Sequence, residues 1–229
     1  MSRFLITGGS HGIGAAIVAH ARKAGHDVVF TGRQQAAIEA VAKKEGAHGI
    51  TADVAIDADN ARVLEFCMSK MGGVDVLINN AGVGYIADVG AIYMDKMRGV
   101  FGINVFGMVD MANRVVPGMI KQGSGDIINI ASTSGTKGAK GYTAYAGSKW
   151  AVRGISQCWQ AELRPHGIRV MCLLPSEVQT SWMGRTGRNN PNKLYAHDIA
   201  ATIFAALEMP RNVLWPEVPV FANNPWKED

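Results

Sequence analysis

The sequence predicts an α/β fold, a doubly wound domain with a mainly parallel seven-stranded sheet flanked by helices. Three observations predict it. Short β-rich runs alternate with helical stretches along the whole chain. Those runs are continuously apolar, as in strands buried on both faces of a parallel sheet. The length, 229 residues, suits one domain spanning 1–229 and leaves little room for a second.

The strands are expected at 4–7 (Phe4-Leu5-Ile6-Thr7), 27–31, 49–52, 74–79, 126–131 and 169–174. Helices are expected between and after them at 12–24, 34–45, 57–71, 95–121, 142–164 and 196–207. Each strand–helix–strand unit crosses over right-handedly, which builds a doubly wound sheet. A last strand near 213–221 is interrupted by Pro216 and Pro219, which confine it to an edge at most. The stretch 176–195 is irregular and rich in Gly, Asn and Arg. It follows the carboxyl end of a strand, where ligands bind in this architecture, and is the natural substrate lid.

Composition excludes several classes. The net charge is +4, but Lys and Arg are scattered rather than clustered, so nucleic acid is not an expected partner. Cys67, Cys158 and Cys172 have neither metal-ligand spacing nor a C-x-x-C pair. They read as reduced core thiols, which fits the cytoplasm. Three apolar residues, Phe4-Leu5-Ile6, are too few for a signal-peptide core. No stretch approaches the roughly 18 apolar residues of a membrane span.

The first strand runs into Thr7-Gly8-Gly9-Ser10-His11-Gly12-Ile13-Gly14, and a helix follows at once. Glycines at 8, 12 and 14 permit a tight turn and close approach of the backbone to a pyrophosphate. The helix N-terminus adds free N–H groups. A merely structural turn is the competing reading, weakened by the position between the first strand and the first helix. NAD sites usually carry Asp or Glu about 20 residues further on. Here the second strand ends Thr31-Gly32-Arg33, and the next acidic residue is Glu39. Arg33 suits a 2′-phosphate, with His11 as a further donor, which favours NADP over NAD. Solvated side chains are the alternative for both. In Ala52-Asp53-Val54, the Asp53 carboxylate can accept from an adenine amino group or cap a helix. After the fourth strand, Asn79-Asn80-Ala81-Gly82 offers small residues for a cofactor to lie against, or side chains that stabilise local turns.

The fifth strand ends at Ser132; Tyr145 follows thirteen residues later, and Lys149 one helical turn beyond on the same face. A phenol titrates near pH 10 and is a poor acid–base catalyst at neutral pH unless an ammonium favours its anion. A serine at a strand end can hydrogen-bond a carbonyl oxygen.

These residues, with Asn104 in Ile103-Asn104-Val105, resemble the short-chain dehydrogenase/reductase family in order and spacing over nearly all of 3–207. The resemblance implies a Rossmann-type fold and a carbonyl–alcohol oxidoreductase dependent on a nicotinamide cofactor. Tyr145 would exchange a proton with the substrate oxygen. Lys149 would hold the nicotinamide ribose and depress the Tyr145 pKa. Ser132 would polarise the carbonyl, and Asn104 would hold a water that relays protons towards Lys149. Pro175, Val178 and Thr180 match the segment that faces the carboxamide. Ser176 replaces the family's usual glycine, and the tail Val213–220 lacks the Gly-rich closing strand of the acyl-carrier ketoacyl reductases. The chain looks more like carbonyl reductases of the hydroxy-acid or serine dehydrogenase type.

The lid carries Trp182, Met183, Arg185, Arg188, Lys193 and Tyr195. Its cations either select an acidic group or belong to a solvated loop; Trp182 and Met183 suit an apolar wall. Trp150 and Trp159 suit core or interface positions. Met97, Val100, Phe101, Val105, Phe106, Met108 and Met111 leave the helix at 95–121 apolar on more than one face. In the family such helices form a dimer interface, so a homodimer or homotetramer is expected. The expected function is NADP(H)-dependent interconversion of a ketone, aldehyde or 3-keto acid with its alcohol. A catalytically silent dinucleotide sensor is the alternative.

Overall fold

A computed structural model describes residues 1–184 and 190–224, with Met183 described by its backbone alone. The strands are β1 (Arg3–Ile6), β2 (Asp27–Gly32), β3 (His48–Thr51), β4 (Val76–Asn79), β5 (Gly125–Ile130) and β6 (Ile168–Pro175), then the short β7 (Val178–Gln179) and β8 (Leu194–Tyr195), and β9 (Glu217–Val220). The helices are α1 (Gly12–Lys23), α2 (Gln35–Glu45), α3 (Asp57–Met71), α4 (Met94–Phe101), α5 (Gly107–Gln122), α6 (Thr143–Leu163) and α7 (Ala196–Glu208). Seven strands form one all-parallel sheet in the order β3-β2-β1-β4-β5-β6-β9, and β7 pairs with β8 alone.

The continuous apolar runs divide by alternation into two buried layers. Phe4, Ile6, Val28, Phe30, Ile128 and Met171 pack with Ile17, Ile199 and Phe204 on the side of α1 and α7. Leu5, Val29, Leu77, Ile127 and Val170 pack with Val63, Met111 and Val115 on the side of α3 and α5. Neither face meets water, so no polar alternation is needed.

Two expected elements differ in detail. The single helix at 95–121 is three pieces, because a π-helical turn, Gly102–Phe106, separates α4 from α5. At its end Gly107 lies against the Val54 backbone, where a Cβ would collide with the Val54 carbonyl. The doubtful last strand exists as β9. It lies at the sheet edge, where Pro219, opposite Leu174, costs no ladder bond to a further strand. Pro216 precedes it and offers its carbonyl to the Cys172 N–H at 3.0 Å. Among the described residues, no helix is long and apolar enough to cross a membrane.

At the amino end of β5 and β6, buried Arg169 donates to Asp126 at 2.7 Å and to the carbonyls of Leu207 and Met209 at 3.1 and 3.0 Å. It thereby satisfies backbone acceptors where α7 ends. Arg211 donates to the other Asp126 oxygen at 2.6 Å, but its side chain is 49% exposed. Removing the shared carboxylate leaves Arg169 buried and unpaired. Asp126→Ala should therefore cost about 3–5 kcal/mol in urea unfolding, and Arg211→Ala about 1 kcal/mol. Equal costs would contradict this division of the cluster.

Candidate active site

The carboxyl ends of β1, β2, β4, β5 and β6 open on one cleft of about 990 Å³. Its floor begins with the glycine loop. Gly8 and Gly12 have φ of +67° and +52°, a backbone region that disfavours side chains. A Cβ on Gly14 would strike the Gly8 carbonyl and lie 2.6 Å from Asn80 Nδ2. The Asn80 amide donates to the Thr7 and Gly8 carbonyls at 2.9 and 3.0 Å, and Thr7 Oγ1 accepts from the Asn80 and Ala81 N–H groups. Asn80 thus clamps the loop in shape. The first turn of α1 holds no acidic residue, and His11, its N-cap, makes no side-chain cap bond. The leading N–H groups of α1 are left to an anion, and the cradle of Gly8, Gly12, Ile13, Ala81 and Gly82 fits a dinucleotide.

At the β2 end, Ser10, His11, Arg33 and Gln34 line the cleft. Ser10 Oγ and His11 Nδ1 are 3.0 Å apart. A Cβ on Gly32 would lie 2.6 Å from Ser10 Oγ, so a side chain where β2 ends needs the Ser10 hydroxyl to turn aside. Arg33 is exposed and has no carboxylate partner among the described residues. Asp53 and Val54 also line the cleft. Asp53 Oδ1 accepts from the Ala55 N–H at 3.0 Å, a local turn into α3, whose N-cap is Ile56; the carboxylate is not the cap.

At the other end, Ser132 caps the 3-10 turn Thr133–Gly135 by accepting from the Ser134 N–H at 3.1 Å. Gly135 lets that turn approach α6: a Cβ there would lie 2.8 Å from the Lys149 carbonyl oxygen. Lys149 is buried beside Tyr145, with its Nζ 5.8 Å from the phenol ring centre. The ammonium donates to the Ile130 carbonyl at 2.7 Å. Burial pushes its pKa down from 10.5 to about 8, leaving it mainly charged at neutral pH. The Trp182 ring lies 5.0 Å from the Tyr145 ring and the Tyr142 ring lies 6.2 Å from it.

Gly14 and Asn104 stand behind the cleft; the other predicted site residues line it, including Pro175, Val178 and Thr180. The Asn104 amide accepts from the Val83 N–H at 2.8 Å and donates to the Val83 carbonyl and to Ser148 Oγ, both at 2.9 Å. Beside it lies a cavity of about 10 Å³ bordered by Thr7, Asn79, Asn104 and Ile130. That is room for about one water, and Asn79 Oδ1, buried without a hydrogen-bond partner, supplies an acceptor. Asn79 itself faces the core, where its amide donates to Asn129 at 2.9 Å.

Gln179 on β7 donates to the Asn190 carbonyl at 2.8 Å and accepts from its N–H at 2.7 Å. Ser176, in place of glycine, lends its N–H to Val220 at 2.8 Å. Lys193 pairs with Glu177 at 3.0 Å. Arg185, Arg188 and the Met183 side chain lie outside the described residues. Tyr195 stacks on His197 at the start of α7, away from the cleft. Sequence reasoning missed Tyr142, Gly135, Ser148 and Val83. Ser148, a small polar residue between Tyr145 and Lys149, was the one that sequence position could have signalled.

Residues 3–191 match the short chain dehydrogenase family. The chain belongs to that family. It is an oxidoreductase with the fold of its relatives. An uncharacterized oxidoreductase of Staphylococcus saprophyticus is 33% identical over 222 residues, 94% of this chain and 95% of that protein. A serine dehydrogenase complexed with NADP+ has a TM-score of 0.88 at 26% identity, covering 95% of this chain and 94% of the other. A 3-ketoacyl-(acyl-carrier-protein) reductase of Brucella melitensis complexed with NADH has a TM-score of 0.89 at 27% identity, covering 97% of each.

The shifted Lys149 makes stability depend on pH. The folded chain loses this proton near pH 8 and the unfolded chain near 10.5. Between those values the unfolded state binds more protons, so stability rises with pH, by up to about 1.4 kcal/mol per unit. Relative to Lys149→Met, the wild type should gain stability in urea from pH 8 to 10. A constant difference would contradict the burial of the charge.

Proposed function

We propose that the protein is an NADP(H)-dependent reductase of ketones, aldehydes or 3-keto acids, or equally the dehydrogenase of the corresponding alcohols. The observation that carries this reading is the buried Lys149 ammonium beside Tyr145 at one end of a dinucleotide-sized cleft. When bound, the nicotinamide supplies or accepts the hydride. Ser132 donates a hydrogen bond to the carbonyl oxygen. Tyr145 gives that oxygen its proton, or removes it in the reverse direction. Lys149 favours the phenolate and binds the ribose hydroxyls. The small cavity beside Asn104 suits the water through which the proton is replaced.

The choice of NADP rests on Arg33 and on the glycine, in place of an acidic residue, at position 32 where β2 ends. Proteins similar to this chain are named for NADP+ and for NADH, so the two cofactors must be compared directly. Serine and 3-ketoacyl compounds, after which two similar proteins are named, are the first substrates this reading suggests for trial. Exposed Phe106, at 66%, and Trp150, at 49%, lie on the helical face expected to join subunits in a homodimer or homotetramer. The reading takes 1–229 as one domain with 176–195 as its substrate lid, in the cytoplasm.

Purified protein should oxidise NADPH with a panel of such carbonyls, and Tyr145→Phe should lower kcat about 10²–10⁴-fold. Unchanged activity in that variant would refute the mechanism, and cofactor binding without turnover would instead indicate a sensor. NADPH should be preferred to NADH, with Arg33→Ala weakening NADPH alone by about 10- to 100-fold. A preference for NADH would remove the role given to Arg33.

A further inference from the structure

Helix α6 is held from behind by two buried Asn–Ser pairs of the same form. Asn104 Nδ2 donates to Ser148 Oγ at 2.9 Å, and Ser148 in turn donates to the Tyr145 carbonyl at 2.7 Å. Two helical turns later, Asn129 Nδ2 donates to Ser156 Oγ at 2.9 Å, and Ser156 donates to the Val152 carbonyl at 2.7 Å. Both serines are 0% exposed. Their surroundings differ. Ser156 lies between α6 and β5, on Asn129, which also accepts from Asn79, and it is not among the residues that line the cleft. Ser148 lies between Tyr145 and Lys149, and through Asn104 it is tied to both backbone groups of Val83, which lines the cleft.

We infer that Ser148 is a positioning residue: with Asn104 it fixes the turn bearing Tyr145 and Lys149 against the Gly82–Val83 wall of the cleft. Each donor and acceptor in the chain is directed. The Asn104 amide spends both N–H groups, on Val83 and Ser148, and its oxygen accepts from Val83. The Ser148 hydroxyl accepts from Asn104 and gives its proton to the Tyr145 carbonyl, so the helix turn and the π-helical turn cannot slide independently. Gly82 fits beneath them, where a Cβ would lie 3.5 Å from Asn104 Oδ1 and 3.6 Å from Lys149 Nζ. Losing the Ser148 hydroxyl frees the turn that aims the phenol, while every group that would touch substrate or cofactor is still present.

The inference rests on the reductase reading, and Ser156 separates it from a general cost of losing a buried hydroxyl. Ser148→Ala, Ser148→Thr and Ser156→Ala are compared in NADPH-dependent carbonyl reduction and in urea unfolding. Ser148→Ala should lower kcat about 10- to 100-fold with the carbonyl KM within about twofold, because misaimed chemistry is lost while binding is kept. Ser148→Thr, which keeps the hydroxyl, should restore at least half of the lost kcat on a logarithmic scale. Ser156→Ala should lose comparable stability and keep kcat within about twofold. The inference is overturned if Ser148→Ala keeps wild-type kcat, if its loss is no greater than that of Ser156→Ala, or if Thr restores nothing. Should Tyr145→Phe leave activity unchanged in the same assay, the reductase mechanism fails instead.

Discussion

The Lys149 ammonium, enclosed between α6 and the end of β5, is the constraint around which the active end of the molecule is arranged. An unpaired charge taken from water costs several kcal/mol. The Ile130 carbonyl, 2.7 Å away, offsets part of that cost. The position also requires α6 to lie close to the strand ends. Gly135 makes that approach possible at the Lys149 carbonyl, and Gly82 leaves space below the amine. What remains of the cost lowers the amine's affinity for its proton, to about 8, and concentrates its field on the neighbouring phenol. Local stability is exchanged here for a charge held next to the Tyr145 phenol.

The rest of the fold keeps this arrangement rigid. At the amino end of the sheet, the Asp126, Arg169 and Arg211 cluster fixes the close of α7 and the segment leading to β9. At the carboxyl end, the clamp of Asn80 and Thr7 holds the glycine loop, and Gln179 ties β7 to Asn190. Side chains that might have faced the cofactor are instead committed to holding its cradle. The cleft presents backbone N–H groups, glycines and hydroxyls beside the charged Arg33, Asp53 and Lys149, which suits a long polar ligand.

Much of this was legible in the sequence. The continuous apolar runs identified parallel strands because burial on both faces leaves no polar alternation. The glycine loop was legible because Gly8, Gly12 and Gly14 each answer a local steric demand. The Tyr145–Lys149 spacing was legible because a helix places i and i+4 together. What escaped were features set by distant contacts. The π-helical turn at 102–106 has apolar neighbours that read as plain helix; its anchor is Val83, 21 residues earlier in the chain. Asn79 and Asn80 look alike in sequence, yet one enters the core and the other the loop, since successive residues leave a strand on opposite faces. The pairing of β7 with β8 involves two residues on each side, too few for any periodicity. The prolines near β9 cast doubt on a strand whose edge position made them harmless.

The titration of Lys149 itself tests the account most directly. With lysine labelled at Cε with carbon-13, the Lys149 resonance, assigned by its loss in Lys149→Met, can be followed by NMR from pH 6 to 11. Burial beside Tyr145 predicts a midpoint near 8, well below that of the exposed lysines. A midpoint near the ordinary value of about 10.4 would show a solvated amine and contradict the account.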